Sequence, residues 1–218
     1  ITDIVLQEVE KNERIAIDQI KTALANNKDD VAALIIEPIQ GEGGDNHFRD
    51  EFFVALRQLC DENEMLFIMD EVQTGIGITG KWWAHQHFSV KPDIISFGKK
   101  TQVCGLLAGP RVEEVENNVF SESSRINSTF GGNLADMVRF HIILEIIEQE
   151  KLIENAKTMG EFLLGEMRNL AEEFPAYVTN PRGLGLFAAF DLPSQTERDK
   201  VIVGLLKKKL LMLPSVDN

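Results

Sequence analysis

Met65-Leu66-Phe67-Ile68-Met69-Asp70-Glu71-Val72-Gln73 is an apolar run that closes on two carboxylates, and Asp93-Ile94-Ile95-Ser96-Phe97-Gly98 is a second strand-like run that closes on Lys99-Lys100. Short continuous apolar runs suit strands buried on both faces, as in a parallel sheet. Ligands of open α/β sheets lie beyond the carboxyl ends of such strands. An aspartate and a lysine that end successive strands can therefore reach one crevice. The pairing suits a cofactor whose aldehyde is held by an amine and whose ring nitrogen is kept protonated by an anion.

Working outward, Val31-Ala32-Ala33-Leu34-Ile35-Ile36-Glu37, stopped by Pro38, reads as another buried strand, and Gln40 to Asp45 as a loop. Asp50 is placed to cap a helix that carries Phe53, Leu56, Leu59 and Cys60 at core spacing. Asp3 to Asn27 reads as a charged amphipathic helix. Strands alternating with helices predict a parallel α/β sheet with right-handed crossovers.

Beyond Gly131-Gly132-Asn133 the period changes. Met137, Val138, His141, Ile142, Leu144 and Ile147 recur at helical spacing, and a second helix runs from Leu152 to about Phe174, before Pro175. A turn at Asn180-Pro181-Arg182-Gly183, a strand from Leu184 to Leu192, a helix from Thr196 to Lys209 and a strand-like Leu210-Leu211-Met212-Leu213 complete a small α+β tail. The expected division is 1–140 as part of a large domain, and 141–218 as a linking helix with part of a small C-terminal domain.

The chain has 218 residues, 44% of them hydrophobic, which is enough for a substantial core. A net charge of −13 argues against nucleic acid or an anionic membrane as partner. No apolar stretch reaches the roughly 18 residues of a membrane span. Cys60 and Cys104 are too few for a disulfide framework or a zinc site, and both read as buried thiols. With no secretory signal visible, a cytoplasmic location is expected. The chain starts at Ile1 and stops at Asn218 just after an apolar run, so it reads as a piece of a longer protein.

Each candidate has a plainer alternative. An aspartate ending a buried strand often only caps a turn, and Asp70-Glu71 after an apolar run also suits a Walker B strand holding Mg²⁺. The competing NTPase requires a phosphate-cradling Gly-x-x-x-x-Gly-Lys-[Ser/Thr]. Here Asp93 replaces its first glycine, Lys100 its hydroxyl, and the order of the two strands is reversed. Most lysines are solvated, but Lys99 follows a strand and a glycine and precedes a weakly charged stretch. An amine there would be partly desolvated, which makes it a better nucleophile. Chemistry alone does not choose between Lys99 and Lys100. Glu42 sits on a glycine-rich loop and is by default solvated. The histidines at 47, 85, 87 and 141 show neither metal-ligand spacing nor a Ser-His-Asp arrangement. No metal is expected.

Four stretches occur in order: Glu37-Pro38-Ile39-Gln40-Gly41-Glu42-Gly43-Gly44, Asp70-Glu71-Val72-Gln73-Thr74-Gly75, Phe97-Gly98-Lys99 and Ser128-Thr129-Phe130-Gly131-Gly132-Asn133. Together they resemble the class III aminotransferases of the pyridoxal-phosphate fold type I. That resemblance covers the chain from about residue 31 onward. It implies part of the family's large parallel-sheet domain and part of its small domain. Lys99 would hold pyridoxal 5'-phosphate as a Schiff base and shuttle a proton, and Asp70 would hold the pyridinium proton. Val72 would pack on the ring, and Gln73 would bond near the phenolic oxygen. Ser128 and Thr129 would reach the phosphate of a neighbouring subunit's cofactor, which implies a homodimer with shared sites.

Departures narrow the match. Lys100 to Gly105 is not the frequent glycine-rich stretch, Leu134 stands for a common proline, and Ile78 for a common arginine. Gly98-Lys99-Lys100-Thr101-Gln102-Val103-Cys104-Gly105, Asn127-Ser128-Thr129 and Gly41-Glu42-Gly43-Gly44-Asp45 together resemble the lysine 6-aminotransferase branch. Its members move the terminal amine of L-lysine to 2-oxoglutarate, giving 2-aminoadipate 6-semialdehyde and glutamate. Glu42 matches a glutamate that swings on and off an arginine, which would lie beyond Asn218. The phosphate-binding turn and the ring-stacking aromatic would precede Ile1. Ornithine or 4-aminobutyrate aminotransferases of the same family, an NTPase and a non-catalytic fragment are the alternatives.

Overall fold

The computed structural model describes residues 3–126, 129 and 131–215. Its elements in order are α1 (Asp3–Asn26), β1 (Ala33–Ile36), β2 (Ile39–Gln40), β3 (Asn46–His47), α2 (Asp50–Glu62), β4 (Leu66–Asp70), β5 (Ile94–Phe97), β6 (Gly105–Ala108), α3 (Leu134–Gln149), α4 (Leu152–Glu173), β7 (Thr179–Leu184), β8 (Phe187–Asp191) and α5 (Gln195–Lys207). The main sheet has the order β1-β4-β5-β6, with β1, β4 and β5 parallel.

The core forms between α2 and one face of this sheet. Phe52, Phe53, Leu56 and Cys60 meet Met65, Phe67, Met69 and Val90, and α1 adds Ala16, Ile17, Ile20 and Leu24 at its margin. Phe67 and Met69 alternate with Leu66, Ile68 and Asp70, so every second residue of β4 enters this core. Fully burying such a side chain stabilises by roughly 1.5–3 kcal/mol. That burial fixes the register of β4 and hence where Asp70 emerges.

Several expectations are corrected. The sheet is not all parallel, because β6 runs antiparallel to β5. Only residues 98–104 join them, and a parallel connection needs a dozen residues or more. Asp50 does not cap α2 as its N-cap. It opens the helix after Arg49, and its carboxylate accepts from Ser89 N and Ser89 Oγ, both at 2.6 Å. The second hairpin turns at Gly185-Leu186 rather than at 180–183, which lie within β7 beside a register irregularity. Pro181 is tolerated there because β7 belongs to a two-stranded sheet and has a free edge. Leu210 to Leu213 forms no strand. Cys60 is buried as expected, but Cys104 is exposed in the tight link to β6.

The two-stranded β7–β8 sheet packs on α4, and Leu186 N donates to Ile78 O at 2.9 Å. This bond ties the hairpin to the loop that follows Asp70. Asn133 caps α3 through Ala135 N and Asp136 N. Helix α3 is continuous through residues 140–141. Among the described residues no helix is long and apolar enough to cross a membrane.

Candidate active site

Asp70 and Ser96 are register partners at the carboxyl ends of the parallel strands β4 and β5. Neighbouring strands lie roughly 5 Å apart. Ser96 Oγ donates to Asp70 Oδ1 at 3.0 Å, and Val72 N donates to the same oxygen at 3.1 Å. Among the described residues Oδ2 takes no partner. The carboxylate is thus aimed, with one oxygen held and the other available.

Lys99 stands three residues beyond Ser96, at the start of a single 3-10 turn (Lys99–Thr101). Its φ of 52° lies in the left-handed region, as does that of Gln102 at 58°. For a side chain with a Cβ this costs about 1–2 kcal/mol, and such outliers cluster at functional sites. Two left-handed residues let the chain reverse between β5 and β6, and Lys99 is exposed.

The desolvation expected of Lys99 falls instead on its neighbour. Lys100 is half-buried, and its Nζ donates to Gln73 O at 2.5 Å. Burial, followed by the charge of Lys99, lowers the Lys100 pKa, while Glu71 opposes the shift. One step along the turn separates an exposed lysine from one that braces the loop after β4.

Glu71 went unassigned in the sequence, yet it organises that loop. It is fully buried. Oε2 accepts from Ala84 N at 2.6 Å and Thr74 Oγ1 at 3.2 Å; Oε1 accepts from His85 N and lies 2.8 Å from His85 Nδ1. A carboxylate facing the first amides of a short helix is favourable. Glu71 therefore ties residues 84 and 85 back to the end of β4. Its sequence signal was faint, because its main partners lie 13 and 14 residues downstream.

Gln73 is half-buried against Gly41. A Cβ on Gly41 would stand 2.8 Å from Gln73 Oε1, so the missing side chain gives the amide its place. Gly41 N donates to Glu37 Oε2 at 3.1 Å, which links the end of β1 to the same region. Val72 is half-buried beside Asp70. Glu42 is exposed on the glycine loop, and Thr129 is exposed after the loops that follow β6. Ser128 lies outside the described residues. Asp70 and Val72 lie at the end of β4, Lys99 follows the end of the neighbouring strand β5, Gln73 packs against Gly41, and Glu42 is on the loop beyond Gly41. Among the described residues no cluster of His, Cys, Asp or Glu could hold a metal.

The family model for class-III aminotransferases matches residues 2–218. The chain belongs to the class-III aminotransferases. Among relatives of this family, the L-lysine-epsilon aminotransferase of Mycobacterium tuberculosis is 54% identical over 92% of this chain and 44% of that protein. The enzyme of the same name from Amycolatopsis lactamdurans is 50% identical over 87% of this chain and 42% of its own. The chain therefore spans less than half the length of these relatives. The solved structure of lysine aminotransferase from M. tuberculosis in the internal aldimine form superposes with a TM-score of 0.90 at 53% identity, over 93% of this chain and 47% of that one. An ornithine aminotransferase from Plasmodium falciparum gives 0.77 at 29% identity, over 92% of this chain and 52% of that one.

For a class-III aminotransferase the site fits pyridoxal 5'-phosphate. A half-buried carboxylate oxygen without a partner, at the end of a central strand, is chemically suited to a pyridinium nitrogen. The space left by Gly41 is taken by the Gln73 amide. The NTPase alternative falls with the family assignment, and Asp93 proves structural: its Oδ2 accepts from Phe67 N at 2.7 Å and Arg57 Nη1 at 2.8 Å.

Proposed function

We propose that this chain carries the central catalytic part of an L-lysine 6-aminotransferase, which moves the terminal amine of L-lysine to 2-oxoglutarate. The observation that carries the reading is the pairing of Asp70 with Ser96, which sets the free oxygen of Asp70 beside the strand that leads into Lys99. The identity to lysine aminotransferases over nine-tenths of the chain supports the choice of donor. Residues 1–140 would belong to the large cofactor-binding domain, and 141–218 to the linking helix and part of the small domain.

When bound, pyridoxal 5'-phosphate supplies an electron sink for the carbon that bears the departing amine. Asp70 Oδ2 holds the proton on the ring nitrogen, and Ser96 and Val72 keep that oxygen pointed. Lys99 Nζ would hold the cofactor covalently and would serve as the base that moves the proton at the reacting carbon. Lys100 holds the Gln73 carbonyl and so steadies Val72 and Gln73, which would contact the cofactor ring. Glu42 pairs with a cation while the uncharged end of L-lysine reacts and releases it for the second carboxylate of 2-oxoglutarate. Thr129 would contact the phosphate of a neighbouring subunit's cofactor, as the family resemblance implies. The exposed Leu134, Val138 and Ile142 on α3 support a homodimer, since apolar side chains in a row favour a partner surface.

Competing L-lysine, L-ornithine and 4-aminobutyrate as donors, with 2-oxoglutarate as acceptor, tests the reading. The highest kcat/KM is expected for L-lysine. Preference for either other donor would reassign the substrate within the family.

A further inference from the structure

Arg182 reaches from the small two-stranded sheet into the glycine loop that bears Glu42. Its Nε donates to Asp45 O at 2.9 Å and its Nη2 to Gly44 O at 2.6 Å. Its Nη1 donates to Asn180 O at 3.0 Å and to Asp191 Oδ1 at 2.7 Å. Four of the guanidinium's five N–H groups are therefore engaged. Such a group is not available to take a substrate carboxylate or the swinging Glu42 side chain. It is built to hold backbone.

The rest of the loop is held as well. Gly43 O accepts from Asn46 Nδ2 at 2.9 Å, and Glu42 O from Ser215 Oγ at 3.3 Å. Gly44 N and Asp45 N both donate to Gly41 O. Carbonyls 42 to 45 are thus each bound, while the Glu42 side chain is exposed. Freedom resides in the side chain and not in the loop.

We propose that Arg182 is a positioning residue for Glu42: by gripping the carbonyls of Gly44 and Asp45 it fixes the platform from which Glu42 changes partner between the two substrates. The proposal rests on the reading of Glu42 as the substrate switch. A fixed platform confines the exchange to rotation about side-chain bonds and spares the ordering of a loop at every half-reaction. Burial raises the carboxyl pKa of Asp45 against the lowering effect of Arg182, with Glu37 and Glu42 adding to the rise, so the loop already carries crowded negative charge. Arg182 offsets that crowding while its donors stay on the backbone.

The test uses the full, cofactor-loaded protein and the variants Arg182→Met, Arg182→Lys, Glu42→Ala and the double variant Arg182→Met/Glu42→Ala. Two quantities are read: the KM of each half-reaction, and amide hydrogen exchange across residues 41–47. Arg182→Met should speed exchange in that segment and raise the L-lysine KM about tenfold, leaving the 2-oxoglutarate KM within about twofold, since each charge-assisted hydrogen bond contributes on this scale. Arg182→Lys, which cannot span both carbonyls, should restore part of each loss. The double variant should match Glu42→Ala. If Arg182→Met does not fold, Asp191→Asn removes the charge that aims the guanidinium and should shift both readouts in the same direction. Unchanged exchange, equal movement of both KM values, or a multiplicative double variant overturns the proposal while a donor-selective Glu42→Ala leaves the switch standing. A Glu42→Ala variant with no donor selectivity overturns both.

Discussion

Replacing Asp70 by asparagine removes one charge and almost no shape. Oδ1 is fixed as an acceptor by Val72 N at 3.1 Å and Ser96 Oγ at 3.0 Å. The amide oxygen of the variant must stay on that side, because an NH₂ there would face two donors. Its NH₂ is then forced into the place of Oδ2, where a protonated ring nitrogen would meet a donor instead of an anion. Loss of a charge-assisted hydrogen bond costs about 1.5–3 kcal/mol, and an opposed donor adds about 1 kcal/mol more. At about 1.4 kcal/mol per tenfold, the amine-transfer rate should fall a hundredfold to a thousandfold. Folding should hardly notice, since both hydrogen bonds to Oδ1 survive; the thermal midpoint should move by no more than about 2 °C. Single-turnover kinetics with saturating L-lysine, run beside thermal denaturation, reads both quantities. A rate within about threefold of the parent would refute the assigned role of the free oxygen.

Three further outcomes are expected. Glu71→Gln places an NH₂ against the donors at 84 and 74 or against those of His85, and should cost about 3–5 kcal/mol, lowering the thermal midpoint by roughly 10 °C; an unchanged midpoint would show that the carboxylate does not organise the loop. Lys100→Ala should keep the bound cofactor and lose turnover only moderately, whereas complete loss of cofactor would mean that the two lysines have been interchanged. His47 is pushed down to about 4, by burial first and then by Arg182, from an ordinary 6.5. Between those values the unfolded chain binds the extra proton, so stability is full above pH 6.5 and declines as pH falls toward 4. With allowance for the ring's partial exposure the loss should be about 1–2 kcal/mol in urea unfolding at pH 4.5 against pH 7, and His47→Gln should abolish that part of the slope. An identical slope in the variant would locate the titration elsewhere.

The parts legible in the sequence were those written locally. The apolar runs before Asp70 and Gly98 announced β4 and β5, and the alternation of strands with helices announced their parallel pairing. Asn133 and the period of Met137, His141, Leu144 and Ile147 announced α3. What escaped depends on contacts remote along the chain. Arg182 grips carbonyls 137 and 138 residues away, and nothing near it in sequence distinguishes a clamp from a surface cation. Glu71 looked like a companion of Asp70 until its amide partners folded over it. Desolvation was expected at Lys99 from apolar neighbours in sequence, but the left-handed turn exposes Lys99 and buries Lys100. The reversal into β6 could have been foreseen from the shortness of residues 98–104. Composition alone kept that argument hidden behind an expectation of uniform parallel strands.

The most direct measurement is reductive trapping. The full protein, loaded with pyridoxal 5'-phosphate, is treated with borohydride, digested and mapped by mass spectrometry. The account predicts one modified residue, Lys99, with the label absent from Lys99→Ala and retained in Asp70→Asn. Label on Lys100, or no covalent label on a folded and loaded protein, would contradict it.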